Sequence, residues 1–292
     1  MERTFSISQK VVRLKAPGIV PNEPGEAPVN DRAGRIPGYK LTTLQALRVL
    51  MVGCGGLGGE IAHGLVRNGI GQIMLCDHDT VELSNLNRQR FYADDLYKNK
   101  ALQLAKNLLS EAVQPLAIVG LAMTVEDAIS SNYVRQVDAI VCGVDNDPTR
   151  VQVARWALTK RIPVIFLGVN DTADYGYVFV QTSQPNDPCF GCLFPDALGR
   201  TGAAPCAAGA TVSILKTVAG PALYALSAIF MPDIMWRWRY KEIFLSGAGQ
   251  DGNREIVRRT DCGLCGRLAA CRRGGLSPRY LADYGNYLSE TA

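Results

Sequence analysis

Residues 49–65 read VLMVGCGGLGGEIAHGL: a short apolar run, glycines spaced G-x-G-G-x-G, then a helix-like stretch. No other part of the chain restricts its fold as strongly. Gly53, Gly55, Gly56 and Gly58 permit a turn so tight that backbone N–H groups and the N-terminus of the next helix can approach phosphate oxygens. Asp77 closes the following apolar run, 19 residues beyond Gly58, where a carboxylate reaches ribose hydroxyls. Together these features point to adenine nucleotide binding. A turn used only for packing is the rival reading, and a dinucleotide-binding dehydrogenase shares every feature so far.

The runs LRVLMVG, QIMLCD, LAIVGLAM, DAIVCGV and PVIFLG have strand length, and helix-like stretches at 98–113 and 149–160 lie between several of them. That alternation predicts an α/β fold, a doubly wound, Rossmann-like, mostly parallel sheet. After Gly168 the rhythm changes. YGYVFVQ alternates like a half-exposed strand, a cysteine loop and a helical run at 208–231 follow, and KEIFLSG with REIVRRT suggests an antiparallel C-terminal extension. Residues 1–45, rich in Pro and Gly, read as an extended arm that docks or stays mobile. Residues 46–265 form the expected nucleotide domain. Residues 266–292 read as a tail whose Tyr280, Tyr284 and Tyr287 pack or dock.

Hydrophobic residues make up 47% of the chain and charged residues 20%, which excludes a disordered protein. With 31 basic and 27 acidic residues the formal charge is only +4, so nothing favours nucleic acid or an anionic membrane as partner. The first residues, MERTFSISQKVVRLK, lack a secretion signal's apolar run, so the expected location is cytoplasmic. The longest uncharged stretch, 217–232, falls short of the roughly 18 apolar residues of a membrane span and holds two prolines, so it reads as a buried helix. Nine cysteines without a signal are expected to be thiols, ligands or nucleophiles, not a disulfide framework.

The segment DHDTVELSNLNRQRF, residues 77–91, crowds carboxylates, amides and arginines together. A nicotinamide enzyme neutralises its pyrophosphate mainly with a helix N-terminus. A triphosphate needs more. Arg88 and Lys100 suit its β- and γ-oxygens, Asn85 and Gln89 can fix the phosphate chain, and Asp79 joins Asp77 on the nucleotide. Asp145 and Asn146, in CGVDNDPTR, sit at another strand end, where Asp145 can hold Mg²⁺. The only histidines, His63 and His78, read as scaffold, and a solvated loop is the rival reading of the charged segment.

At these residues the chain resembles the ubiquitin-activating-enzyme-like MoeB/ThiF/HesA adenylyltransferases. The resemblance rests on GCGGLG (53–58), DHDTVELSNLNRQRF (77–91), Lys100 in NKA, DNDPTR (145–150), PCFGCLFPD (188–196) and DCGLC (261–265). It implies that Asp77 contacts the ribose of ATP, that Asn85, Arg88, Gln89 and Lys100 surround the phosphates, and that Asp145 organises Mg²⁺. It also implies the reaction. A carboxylate attacks the α-phosphorus of ATP and expels pyrophosphate, which needs positioning and charge neutralisation but little proton transfer. The expected substrate is the C-terminal glycine carboxylate of a small ubiquitin-like (β-grasp) protein ending in Gly-Gly, with later transfer to a thiol or sulfur acceptor such as a conjugating enzyme or sulfur donor. Adenylation of a peptide or of tRNA-linked threonylcarbamoyl, and a nucleotide-binding scaffold, are the alternatives.

Cys189-x-x-Cys192 and Cys262-x-x-Cys265, with 69 residues between the pairs, suit a closed tetrahedral Zn²⁺ site, against a redox CxxC as rival. Cys206 precedes a helix, so it is either a nucleophile or an incidental thiol. Cys54, Cys76 and Cys142 lie in apolar runs and read as core, while Cys271 has no assignment. The resemblance implies an N-terminal helix with two arginines three positions apart, one reaching a partner subunit's ATP. Arg32 and Arg35 show that spacing, but the surrounding Pro and Gly argue against a helix. No sizeable insertion follows Cys206, so the pattern is that of the minimal, homodimeric bacterial type.

Overall fold

The computed structural model describes residues 10–19, 27–131, 133–200 and 209–266. Five apolar runs become the parallel strands β2 (Arg48–Val52), β3 (Gln72–Cys76), β4 (Leu116–Leu121), β5 (Ala139–Cys142) and β6 (Val164–Val169). The antiparallel strands are β1 (Val11–Ala16), β7 (Tyr175–Gln181), β8 (Tyr240–Phe244) and β9 (Gly252–Arg254), which complete a nine-stranded sheet ordered β1-β4-β3-β2-β5-β6-β7-β8-β9. In chain order the helices are α1 (Asp31–Gly34), α2 (Leu41–Ala46), α3 (Gly56–Arg67), α4 (Lys100–Leu109), α5 (Val125–Ser130), α6 (Asp147–Lys160), α7 (Phe190–Leu193) and α8 (Val212–Phe230).

Strand side chains alternate between faces, so each strand feeds two cores. Val49 and Met51 of β2 join Ile61 and Leu65 of α3, Leu104 and Leu108 of α4, and Ile214 and Val218 of α8. Leu50 and Val52 join Val125 of α5, Trp156 of α6, Phe166 and Phe190 on the other face. Continuous Val/Ile/Leu runs form these strands because helices cover both faces.

Several expectations need correction. The stretch read as an arm that docks or stays mobile does dock, through β1 antiparallel on β4, so the sheet begins well before residue 46: VVRLK alternates and places Val11 in one core and Val12 and Leu14 in the other. A helix does form beside Arg32: α1 is a single turn closed by an Arg35 Nη2–Asp31 Oδ2 ion pair of 2.7 Å, with Pro28 and Pro37 outside it. β7 is not half-exposed. Val178 and Val180 enter the core under α8, while Tyr177 and Phe179 enter the core with α6 and α7.

REIVRRT contributes only its first residue to β9; the chain then leaves the sheet, and Arg259 donates its backbone N–H to Cys192 Sγ at 3.4 Å. Length does not exclude a membrane span either. Among the described residues α8, at 19 residues and a mean hydropathy of 1.5, is long and apolar enough to cross one. Half of it is buried inside the fold, where Leu215 and Leu223 rest on Gly56 and Gly64 of α3.

Candidate nucleotide site and cysteine cluster

The glycine turn joins β2 to α3. Gly53 adopts φ +88°, open to glycine at little cost, and a Cβ on Gly58 would overlap the Gly53 carbonyl oxygen. Gly56 accepts Leu215 of α8. Gly55 faces open space, where the nearest atom to its missing Cβ is Gln89 Nε2 at 3.7 Å. A phosphate group can approach the backbone there.

Asp77 stands at the end of β3, next to that turn. Its Oδ2 accepts the Cys54 N–H at 2.7 Å and its Oδ1 accepts the Asp79 N–H at 2.9 Å. Burial pushes the carboxyl pKa up, opposed by those two backbone bonds and by the Lys100 charge. Lys100 Nζ lies 3.0 Å from Asp79 Oδ2, with its side chain 12% exposed. Burial lowers the Lys100 pKa, but the Asp79 hydrogen bond and the charges of Asp77, Asp79 and Glu82 outweigh it, so the net direction is up. Asn99 fixes this arrangement. It caps α4 by accepting the Leu102 N–H and donates to the carbonyls of Asp77 and Asp79 at 2.9 and 3.1 Å.

The rest of the polar segment divides in two. Asn85 is buried and closes its own turn by accepting the Glu82 N–H at 3.1 Å. Arg88 donates to Ser84 O at 2.6 Å and to Asn87 Oδ1 at 3.0 Å. Gln89 turns its amide to the glycine turn, and its buried Oε1 has no partner. Arg90 is a tether, gripping Glu60 of α3 with two hydrogen bonds of 3.1 and 3.0 Å. Arg88, Gln89, Glu60 and Lys216 help line a cavity of about 290 Å³ beside the turn.

Asp145 is exposed at the end of β5. Its loop runs against the glycine turn, since a Cβ on Gly143 would stand 3.2 Å from the Gly58 nitrogen. Asn146 caps α6 by accepting the Thr149 N–H at 3.0 Å. The expected set of Gly55, Asp77, Asp79, Gln89, Lys100 and Asp145 therefore meets at one end of β2, β3 and β5, whereas Asn85 and Asn146 serve the scaffold. An open glycine with the Gln89 Nε2 donor beside it fits a phosphate group, and the exposed Asp145 carboxylate is a hard oxygen donor of the kind Mg²⁺ prefers.

Sequence reasoning gave no role to Asn99, to the Glu60–Arg90 pair, or to Asp147 with Arg150 and Arg200. Asn99 was detectable, as an Asn just before a periodic helix. Asp147 and Arg150 were detectable too, as an i,i+3 charge pair at a helix start, whereas Glu60–Arg90 and Asp147–Arg200 pair residues too far apart for any local pattern.

Cys189, Cys192, Cys262 and Cys265 converge so that their sulfurs all lie within 4.8 Å of one another. Three of the separations are 3.8, 3.5 and 3.4 Å. Four thiolates about 2.3 Å from one tetrahedral ion stand roughly 3.8 Å apart, so the donor set fits zinc. All four are buried, which suits a closed structural site. Hydrogen bonding among the four thiols pushes Cys192 and Cys262 toward the thiolate and Cys189 and Cys265 toward the thiol. Cys54, Cys76 and Cys142 are core thiols, and burial pushes Cys76 and Cys142 up to about 12. His63 faces Glu111 and His78 faces Asp79, each at 3.3 Å. Cys206, Cys271 and the tail tyrosines Tyr280, Tyr284 and Tyr287 lie outside the described residues.

Comparison with known proteins agrees with this geometry. The profile of the ThiF family matches residues 31–235. The sulfur carrier protein adenylyltransferase of Thermus thermophilus is 32% identical over 188 residues, 62% of this chain and 68% of that protein. The molybdopterin-synthase adenylyltransferase of Escherichia coli is 29% identical over 226 residues, 77% of this chain and 89% of its own length. Among solved structures, E. coli MccB with succinimide superposes at a TM-score of 0.63 and 21% identity, covering 77% of this chain and 68% of that one, a likeness of fold. Most of the chain thus aligns with a family whose named members transfer adenylyl groups, on a sheet that sets a glycine turn beside a half-buried lysine: the protein belongs to the ThiF family and is an adenylyltransferase.

Proposed function

We propose that the protein adenylates the C-terminal glycine carboxylate of a small ubiquitin-like protein, using ATP and Mg²⁺ and releasing pyrophosphate, and that the adenylate then passes to a thiol or sulfur acceptor. The observation that carries this is the Lys100–Asp79–Asp77 cluster beside the open Gly55 turn. The two relatives above support the substrate class, since one is named for a sulfur carrier protein and the other for molybdopterin synthase.

In this reading the N-terminus of α3 and the backbone at Gly55 receive phosphate oxygens, and Asp77 accepts from the ribose. Lys100 and Arg88 stabilise the charge that builds as the carboxylate oxygen bonds to the α-phosphorus and the bond to pyrophosphate breaks. Arg88 must first leave the Ser84 carbonyl. Asp145 would hold Mg²⁺, which supplies neutralising charge on the leaving pyrophosphate. Zinc in the Cys189, Cys192, Cys262 and Cys265 set would clasp α7 to the segment after β9. The active form is a cytoplasmic homodimer, independent of nucleic acid and membrane.

The test is exchange of labelled pyrophosphate into ATP in the presence of a ubiquitin-like protein ending in Gly-Gly. Exchange should require that carrier and disappear when its last glycine is deleted. Exchange that persists with the truncated carrier refutes the substrate assignment.

A further inference from the structure

Asp147 carries more ion pairing than the first residue of a helix requires. Its side chain is 14% exposed and meets Arg150 Nη1 at 3.1 Å through one oxygen and Arg200 Nη1 at 2.6 Å through the other. Helix capping does not account for this, because Asn146 already caps α6, and an acid in the first turn suits the helix dipole without a partner. Nor is stability a sufficient reason: burying the Asp147–Arg150 pair costs about as much as the pairing returns, and a pair to the largely exposed Arg200 adds little.

The pairs link three parts of the molecule. Arg150 also donates to Leu167 O in β6 at 3.3 Å. Arg200 follows the turn Pro195–Gly199, which leaves the first cysteine pair. A second tie runs in parallel: fully buried Gln181 of β7 donates to Ala154 O in α6 at 3.1 Å and accepts from the Phe190 N–H beside Cys189 at 3.0 Å. On the opposite side the loop before α6 presses on the glycine turn through Gly143. Asp145 sits between these fixed points.

We propose that Asp147 is a positioning residue. By bridging Arg150 and Arg200 it sets the loop 143–146, and therefore the place of the Asp145 carboxylate, so that the cysteine-cluster lobe governs the affinity of the site for magnesium-bound nucleotide. This rests on the assignment of Asp145 to magnesium.

Calorimetric ATP binding, with and without Mg²⁺, tests the idea on the full chain and on Asp145→Ala, Asp147→Asn, Arg200→Gln, Arg200→Lys and the Asp145→Ala/Asp147→Asn double variant. Asp147→Asn and Arg200→Gln should weaken binding of Mg²⁺-ATP about ten- to a hundredfold, as loss of a residue orienting a metal ligand does, while binding of metal-free ATP stays unchanged. Arg200→Lys should restore most of the affinity, because a single ion pair needs a charge and no fork. The double variant should bind no more weakly than Asp145→Ala alone.

Unchanged Mg²⁺-ATP affinity in Asp147→Asn and Arg200→Gln overturns the proposal, as does equal loss of metal-free binding or additivity in the double variant. Should Asp147→Asn not fold, the substitutions at Arg200, whose side chain is 64% exposed, decide between these outcomes. If Asp145→Ala itself leaves the Mg²⁺ dependence intact, the magnesium assignment fails. If Asp145→Ala is impaired and Asp147→Asn is not, only the positioning role fails.

Discussion

Arg88 and Arg90 are two positions apart and equivalent to any reading of composition, yet the fold gives them opposite duties. Arg90 is tied to Glu60, whose side chain is 11% exposed, and Arg88 borrows only a backbone carbonyl and an amide of its own turn. Arg90→Ala should therefore lower unfolding free energy by about 1–2 kcal/mol, a charged hydrogen-bonded pair with partial solvent screening. Arg88→Ala should leave the unfolding midpoint in place and reduce pyrophosphate exchange about 10²- to 10³-fold, the usual cost of one charge-stabilising donor. Denaturant unfolding and exchange rates on both variants separate the two, and a stability loss in Arg88→Ala contradicts the division. Lys100 adds a pH expectation. Its pKa is raised above 10.5 despite burial, so its ion-pair stabilisation is complete below that value and is lost only as pH climbs through the higher folded-state pKa. The pH profile of kcat/KM should show no lysine limb between pH 7 and about 10; a limb near pH 8 would mean that desolvation wins over Asp79 and Asp77. The grouping of the glycine turn, Asp77, Lys100 and Asp145 near one end of the sheet was legible because glycines and charged residues at the ends of apolar runs stand out locally. The scaffold duties of Asn85 and Asn146 were not, since a carboxamide that caps a turn and one that binds phosphate look alike in sequence.

The strands β2 to β6 were legible because burial on both faces demands unbroken apolar runs. β7 misled for the same reason in reverse: its Tyr and Gly residues imitate alternation, yet Tyr177 lies under Phe194 at 5.2 Å between ring centres and Gly168 makes room for the tyrosine ring. The cover on that face comes from α7, which no strand pattern announces. β9 was misplaced because REIVRRT has strand character, but residues 255–261 are drawn toward the cysteine cluster. The spacing of the two cysteine pairs was the only signal for that, and the clustering of four sulfurs within 4.8 Å bears out their convergence. A metal test follows at this scale. Purified protein should contain one zinc per chain, and stripping it, or Cys262→Ser, should raise amide hydrogen exchange in residues 188–199 and 254–266 while β2 to β5 keep their protection. Loss of protection across the whole sheet would show that the cluster holds the entire fold together instead of one lobe.

Across the whole molecule, β2 is central, and the chain moves outward to β3 and β4 on one side and to β5 and β6 on the other. Such a reversal opens a crevice at the carboxyl ends of the strands, and the glycine turn, Asp77 and Asp145 all emerge there. Strand order of this kind is a long-range property that local patterns imply only through the alternation of strand and helix. The opposite ends of the same two central strands are joined by charge. Arg48, at the start of β2, grips Asp138 just before β5 with hydrogen bonds of 3.1 Å from Nε and 3.1 Å from Nη2, and its backbone N–H adds a third at 2.8 Å. Burial acts to raise the Asp138 pKa, but the Arg48 bonds prevail and hold it below 3.8. With a depressed folded-state pKa, this carboxylate stabilises the protein above the unfolded value and loses that contribution as pH falls through the folded one. Asp138→Asn should cost about 1 kcal/mol of global stability at pH 7, a figure kept low by solvent screening of side chains that are 29% and 35% exposed. The difference from the parent should shrink as unfolding is measured at pH 4 and then pH 2, and pyrophosphate exchange at pH 7 should not change, because the clamp and the crevice occupy opposite edges of the sheet. A variant that lost activity with no change in stability would place Asp138 in communication with the site and refute its assignment as a clamp.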